Sequence, residues 1–88
     1  MSDWTLIFEK RSLKDALLLR RANLWGRTEA VLDIIRLNPF QNPPPYEKLR
    51  SEFRGIYSRR INKQHRLVYQ VKKDEKITRI LRMWTHYE

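Results

Sequence analysis

The stretch 55–71, GIYSRRINKQHRLVYQV, restricts the fold of this chain more than any other. Ile56, Tyr57, Ser58, Arg59, Arg60 and Ile61 favour extended backbone, Asn62-Lys63-Gln64 favours a turn, and His65 to Val71 then alternates in side-chain type. Two β-rich runs about a short polar break predict an antiparallel hairpin. Residues two apart share a face of a strand, so Leu67, Tyr69 and Val71 form one side of the returning strand and Arg66, Val68 and Gln70 the other. Arg59 and Arg60 point to opposite faces, so at least one of them shares a face with Arg66. A sheet face carrying guanidinium groups suits phosphate, whose oxygens match the planar fork of donors. The same arginines also fit an exposed, solubilising surface. The hairpin alone does not choose between the two.

A hairpin needs further strands and a cover. Trp4-Thr5-Leu6-Ile7-Phe8 is a short apolar run with β preference and predicts an opening strand. Ser12 with Asp15 three residues later has the spacing of a helix start, with Ser12 as the cap. Leu13, Ala16, Leu17 and Leu24 fall at helical spacing, and Leu18 and Leu19 widen the stripe beyond one core face. Such a stripe serves either a helix packed between two neighbours or a partner surface. Asn23-Leu24-Trp25-Gly26 predicts a turn, followed by a second helix over 27–37 with Ala30, Val31, Ile34 and Ile35 on one face. Asn38-Pro39 ends that helix, because proline disfavours helical backbone in the residue before it. Residues 40–48 read as a loop stiffened by Pro43-Pro44-Pro45, with Leu49 and Phe53 available to anchor it. Lys72-Lys73-Asp74-Glu75 predicts a polar turn, and 76–82 a last strand with Thr78, Ile80 and Arg82 on one face. The order β-α-α-β-β-β predicts an α+β fold, an N-terminal strand and a helical hairpin packed on an antiparallel sheet, as a single domain over 1–88.

Charge narrows the partners. The chain holds 19 Lys and Arg against 10 Asp and Glu, a net charge of +9, which favours an anionic partner. Nucleic acid fits best, because binding a polyanion releases counterions. There is no long apolar run, and the basic residues are not confined to one amphipathic helix, so no membrane partner is expected. The absence of cysteine excludes disulfide scaffolds, thiolate catalysis and zinc ribbons. His65 and His86 are not spaced with other ligands as a metal site. The start, MSDWTLIFEKRS, lacks the basic end and apolar core of a signal peptide, so a cytoplasmic location is the expectation.

The last strand runs directly into Met83-Trp84-Thr85-His86-Tyr87-Glu88. In an antiparallel sheet its end can lie beside the strand carrying Arg66, with the loop of Glu47 close by. A carboxylate, a guanidinium, an imidazole and a phenol are the parts needed to cleave RNA without a metal. Glu47 suits the base that takes the 2′-hydroxyl proton, Arg66 the cation that stabilises the phosphorane, and His86 the acid that protonates the leaving 5′-oxygen. Tyr87 suits stacking on a base or orienting the phosphate. Each also has a plainer role: Glu47 as a solvated counter-charge, Arg66 as a surface strand residue, His86 as part of a mobile tail, Tyr87 as a packing aromatic. Residue chemistry leaves both open.

The same residues carry a resemblance. Gly55-Ile56-Tyr57-Ser58-Arg59-Arg60-Ile61, the short turn, His65-Arg66-Leu67-Val68-Tyr69 and the closing His86-Tyr87 resemble the YoeB/Txe toxins of the RelE superfamily, the toxic halves of bacterial toxin–antitoxin pairs. Asn38-Pro39-Phe40 and the Pro-rich loop with Glu47-Lys48-Leu49 extend the likeness. It implies a RelE-like fold and cleavage of mRNA in the ribosomal A site, with no metal or other cofactor, leaving a 2′,3′-cyclic phosphate or its 3′-phosphate and a 5′-hydroxyl. It assigns the base to Glu47, the phosphate-binding arginine to Arg66, the acid to His86 and the terminal tyrosine to Tyr87. It turns Lys48, Arg50, Arg59 and Arg60 toward RNA. It implies the 70S ribosome with its mRNA as target and an acidic, partly disordered antitoxin that folds over the Leu17-Leu18-Leu19 stripe. Operator DNA is contacted only by the toxin–antitoxin complex, and a homodimer is left open. Two other functions stay in view: an RNA- or ribosome-binding inhibitor of translation that does not cut, and a topoisomerase-directed toxin of the same fold.

Overall fold

The computed structural model describes residues 4–49 and 55–84. The elements are β1 (Thr5–Phe8), α1 (Lys10–Arg21), α2 (Trp25–Leu37), β2 (Tyr46–Lys48), β3 (Ile56–Arg60), β4 (Arg66–Lys72) and β5 (Ile77–Arg82). The strands form one sheet in the order β1-β5-β4-β3-β2. The central hairpin forms as the alternation predicts, with Tyr57 opposite Tyr69 and Arg60 opposite Arg66. Its turn is held by Asn62, whose Oδ1 accepts from the amides of Gln64 and His65 at 2.9 and 2.7 Å. Gly55 enters β3 at φ +72°, and a Cβ there would stand 3.0 Å from the carbonyl oxygen of Val71. Both facts favour glycine at this position.

The sheet differs from the expected one in two ways. It is mixed, because β1 pairs parallel with β5, Leu6 lying opposite Thr78. Periodicity fixes which residues face inward; it says nothing about the direction of a neighbour 70 positions away, which the long connection decides. Second, Tyr46–Lys48 is an edge strand, with Glu47 opposite Ser58, where a loop was expected. A three-residue strand is too short to show a period.

The helices also sit differently. Glu9 occupies the cap position of α1; Ser12, three residues later, lies in the first turn and donates from Oγ to the Glu9 carbonyl at 2.7 Å. Ser12 and Asp15 are therefore not a capping pair. They form the buried face of α1 together with Leu19, while Leu13 and Leu17 are 54% and 56% exposed. The Asp15 carboxylate, bound to Arg82 and to the Met83 amide, fixes this rotation of the helix. The turn between helices falls at Asn23, in the left-handed region at φ 64°, and Gly26 lies inside α2. The buried face of α2 is Thr28, Val31, Leu32 and Ile35, with Ala30 exposed; Asn38-Pro39 ends the helix as expected.

Leu19, Val31, Leu32 and Ile35 from the helices pack against Leu67, Tyr69 and Val71 of β4, Ile80 of β5 and Met83. Each fully buried large apolar side chain contributes about 1.5–3 kcal/mol. One cation joins this layer. Arg59, on the same face as Tyr57 and opposite Leu67, is 1% exposed. Its Nε donates to Tyr69 Oη at 3.1 Å, Nη1 to the Pro44 carbonyl at 2.7 Å, and Nη2 to the carbonyls of Pro39 and Gln41 at 3.1 and 2.6 Å. The Tyr46 ring lies 5.1 Å away, close enough for a cation–π contact. A buried cation is costly unless its donors are satisfied, and here the backbone of 39–44 satisfies them.

Tyr69 gives this network a signature in solution. Its hydroxyl donates to the Pro39 carbonyl at 2.8 Å, and burial pushes its pKa from 10.0 to about 12 despite the pull of Arg59. The folded state therefore keeps this proton to higher pH than the unfolded state does. The stability it contributes is full below about pH 10 and is lost as pH rises to about 12, a change of about 2–3 kcal/mol. Denaturant unfolding across that window is expected to show a shallower alkaline decline for Tyr69→Phe than for the unsubstituted protein; equal slopes would contradict this.

Candidate functional site

The face of the sheet turned away from the helices carries the polar residues. Glu47, Ser58 and Val68 lie abreast on β2, β3 and β4, and Arg60 pairs with Arg66 one step along. Arg66 reaches back across β3: its Nη1 donates to Ser58 Oγ at 3.3 Å and its Nη2 to Glu47 Oε1 at 3.1 Å. Its side chain is 14% exposed and that of Glu47 62%, so the guanidinium is held while the carboxylate stands open. An ion pair with so exposed a partner is worth about 0–1 kcal/mol. Glu47 can therefore give up Arg66 to an incoming anion at little cost. A guanidinium has five N–H donors in a fixed fork, and these two contacts leave capacity for phosphate oxygens.

Arg60 is exposed beside Arg66 on this face. Side chains directly opposite across a ladder have Cβ atoms about 5 Å apart, so the two cations repel and favour an anion between them. Lys48 is exposed on the edge strand but lies opposite Tyr57, on the other face from Glu47. Arg59 is not available to RNA. Its donors are turned inward as described, which corrects the expectation that it faces the substrate. Arg50, His86 and Tyr87 lie outside the described residues.

Ser58, Trp84 and Asp15, none of them a candidate site residue on sequence, lie around the Glu47–Arg66 pair or next to its strands. Ser58 is buried and steadies Arg66 from β3. Trp84 stacks on His65, ring centroids 3.9 Å apart and planes 22° from parallel. His65 immediately precedes Arg66, so Trp84 lies beside the root of β4. Asp15 holds the residues just before Trp84. Ser58 stands within the quoted hairpin, so facing Arg66 was available as a signal; the contacts of Trp84 and Asp15 depend on tertiary placement and leave none. Among the described residues no group of three or more His, Asp or Glu is placed to hold a metal, and no helix is long and apolar enough to cross a membrane.

A family model for the YoeB-like toxin of bacterial type II toxin–antitoxin systems matches residues 8–87. Curated protein sequences give no match. Among solved structures, the YoeB/ParE toxin from Agrobacterium tumefaciens is similar at 25% identity with a TM-score of 0.83, over 94% of this chain and 99% of that one. A chain of the YoeB–YefM complex from Staphylococcus aureus is similar at 29% identity and a TM-score of 0.77, over 98% of this chain and 100% of that one. A chain of the archaeal RelE–RelB complex from Pyrococcus horikoshii, at 22% identity and a TM-score of 0.77 over 97% and 96% of the two chains, shares the fold. Two helices on a five-stranded mixed sheet, after an N-terminal strand, are thus a RelE-like α+β arrangement. The hairpin signature, this fold and the match along nearly the whole sequence agree: the chain belongs to the YoeB-like toxin family of bacterial type II toxin–antitoxin systems.

Proposed function

We propose that this protein halts translation by cutting mRNA on the ribosome through 2′-hydroxyl attack. The observation that carries this reading is Arg66, anchored by Ser58 and touching an exposed Glu47 on the face of the sheet turned away from the helices. Glu47 takes the 2′-hydroxyl proton as that oxygen bonds to the adjacent phosphorus. Arg66 stabilises the negative charge gathered on the phosphorane, and the imidazolium of His86 protonates the 5′-oxygen as the P–O5′ bond breaks. The products are a 2′,3′-cyclic phosphate, open to hydrolysis to the 3′-phosphate, and a 5′-hydroxyl. Tyr87 stacks on or orients the substrate, and Arg60 and Arg50 hold its backbone. These steps need no metal or cofactor.

The partner surface lies on the other layer. Of the expected Leu17-Leu18-Leu19 stripe, Leu19 is buried in the core, while Leu17 and Leu18, joined by Leu13, are exposed on α1, on a chain with a net charge of +9. An acidic antitoxin segment that folds on binding would cover the leucines and match the charge. Operator DNA would then be reached through the antitoxin.

Two outcomes test this. Primer extension on mRNA in a translating extract is expected to show cuts that a 2′-deoxy substitution at the cut site abolishes, and Glu47→Gln or Arg66→Ala is expected to slow cutting about 10²- to 10⁴-fold. Growth arrest with intact mRNA would point instead to a non-cutting inhibitor or, with DNA damage, to a topoisomerase-directed toxin. Leu17→Glu is expected to weaken capture by the cognate antitoxin by about tenfold or more while leaving mRNA cleavage unchanged; an unchanged affinity in a binding titration would contradict the assignment of this surface.

A further inference from the structure

Arg66 divides its donors between two strands. Nη1 goes to Ser58 Oγ at 3.3 Å and Nη2 to Glu47 Oε1 at 3.1 Å, so the guanidinium and the carboxylate are joined by one bond. Arginine and carboxylate commonly pair through two parallel N–H···O bonds, and that form is the stronger one. Ser58 stands in its way. It is 1% exposed, in the row Glu47, Ser58, Val68 that runs across β2, β3 and β4. Arg66 lies two residues before Val68, opposite Arg60, and like charges directly opposite repel. Its side chain leans away from Arg60 into that row, whose diagonal neighbours are about 7–8 Å off and within reach of a long side chain. There it meets Ser58 before it meets Glu47. A small residue leaves room for this crossing, and a hydroxyl takes one of the two nitrogens on the way.

We propose that Ser58 is a positioning residue that limits Arg66 to a one-bond contact with Glu47 and so leaves the carboxylate able to act as a base; this rests on the ribonuclease reading given above. With Nη1 tied to Ser58, a single bond has to break before Glu47 can turn to a 2′-hydroxyl. The guanidinium meanwhile stays over β3, with donor capacity left for a phosphate. The Arg66 side chain is 14% exposed, so an Nη1 that lost the hydroxyl would be a poorly hydrated donor in need of another acceptor. The second carboxylate oxygen of Glu47 offers one, and the pair would close into its two-bond form. Breaking one more hydrogen bond between charged groups costs about a factor of ten in rate, or more.

The test uses the full chain and two comparisons that isolate the hydroxyl. Setting Ser58→Ala against the unsubstituted protein removes it at small volume. Setting Ser58→Val against Ser58→Thr removes it at a larger, matched volume, and decides the matter if Ser58→Ala does not fold. Single-turnover cleavage on saturating programmed ribosomes is expected to be about tenfold slower for the member of each pair that lacks the hydroxyl, with half-saturation by ribosomes unchanged. A crystal structure of Ser58→Ala is expected to show Arg66 Nη1 within about 3 Å of the second Glu47 oxygen. Cleavage rates within a factor of about two in both pairs would overturn the proposal. So would a Ser58→Ala structure in which Arg66 and Glu47 still share one bond or have parted, since a serine needed only for stability would leave that contact as it is. An unsubstituted protein that cuts no mRNA would overturn the ribonuclease reading itself, and is told apart because the structure of the variant needs no RNA.

Discussion

A guanidinium sealed inside the sheet holds the rest of this structure in register. Arg59 has no carboxylate beside it among the described residues; its donors go to three backbone carbonyls and a tyrosine hydroxyl, and the Tyr46 ring lies over it. Hydrogen bonds to a charged group contribute about 1.5–3 kcal/mol each, so this cluster is strong enough to shape a loop that has no secondary structure of its own. The chain over 39–44 wraps the guanidinium, and what emerges is the short edge strand β2. Phe40, Tyr46 and Tyr57 pack edge to face at 5.2–5.8 Å on the same side. Because β2 is delivered in this register, Glu47 lies opposite Ser58 and within reach of Arg66.

Two neighbouring arginines show how the sheet divides its work. Arg59 turns inward and is spent on structure; Arg60 turns outward beside Arg66 and faces solvent. The inner face carries the apolar side chains that the helices cover, and the outer face carries the carboxylate and guanidinium suited to phosphate. The Asp15–Arg82 contact links the two layers, running from the buried side of α1 to the strand end that precedes His86.

The hairpin was legible in the sequence because a period of two survives over β3 and β4 and says which residues share a face. It also said that Arg59 and Arg60 diverge, but not which one goes inward; that depends on the loop that comes to meet it. The cap of α1 falls at Glu9 and not at the expected Ser12, because Ser12 and Asp15 lie on its buried face and the partner of Asp15, Arg82, is 67 positions away. The parallel pairing of β1 and the three-residue β2 escaped for similar reasons, one set by a long connection and the other too brief to have a pattern. Of the candidate site, Glu47 and Arg66 were named from their chemistry and from the family signature, and the fold brings them into contact. Ser58, which lies between them, shares the face of Arg66 by the same alternation, a signal the hairpin carries.

Arg59 is held here to act on chemistry only by placing Glu47, and a double-mutant cycle on mRNA cleavage tests that most directly. Single-turnover rates would be measured for the unsubstituted protein, Arg59→Lys, Glu47→Gln and the double variant, each shown to be folded. Arg59→Lys is expected to slow cleavage when Glu47 is present and to add almost nothing when it is Gln, so that nearly the whole effect is coupling, on the order of 1–3 kcal/mol. Equal slowing in both backgrounds would contradict the account and make Arg59 an independent contributor to the reaction.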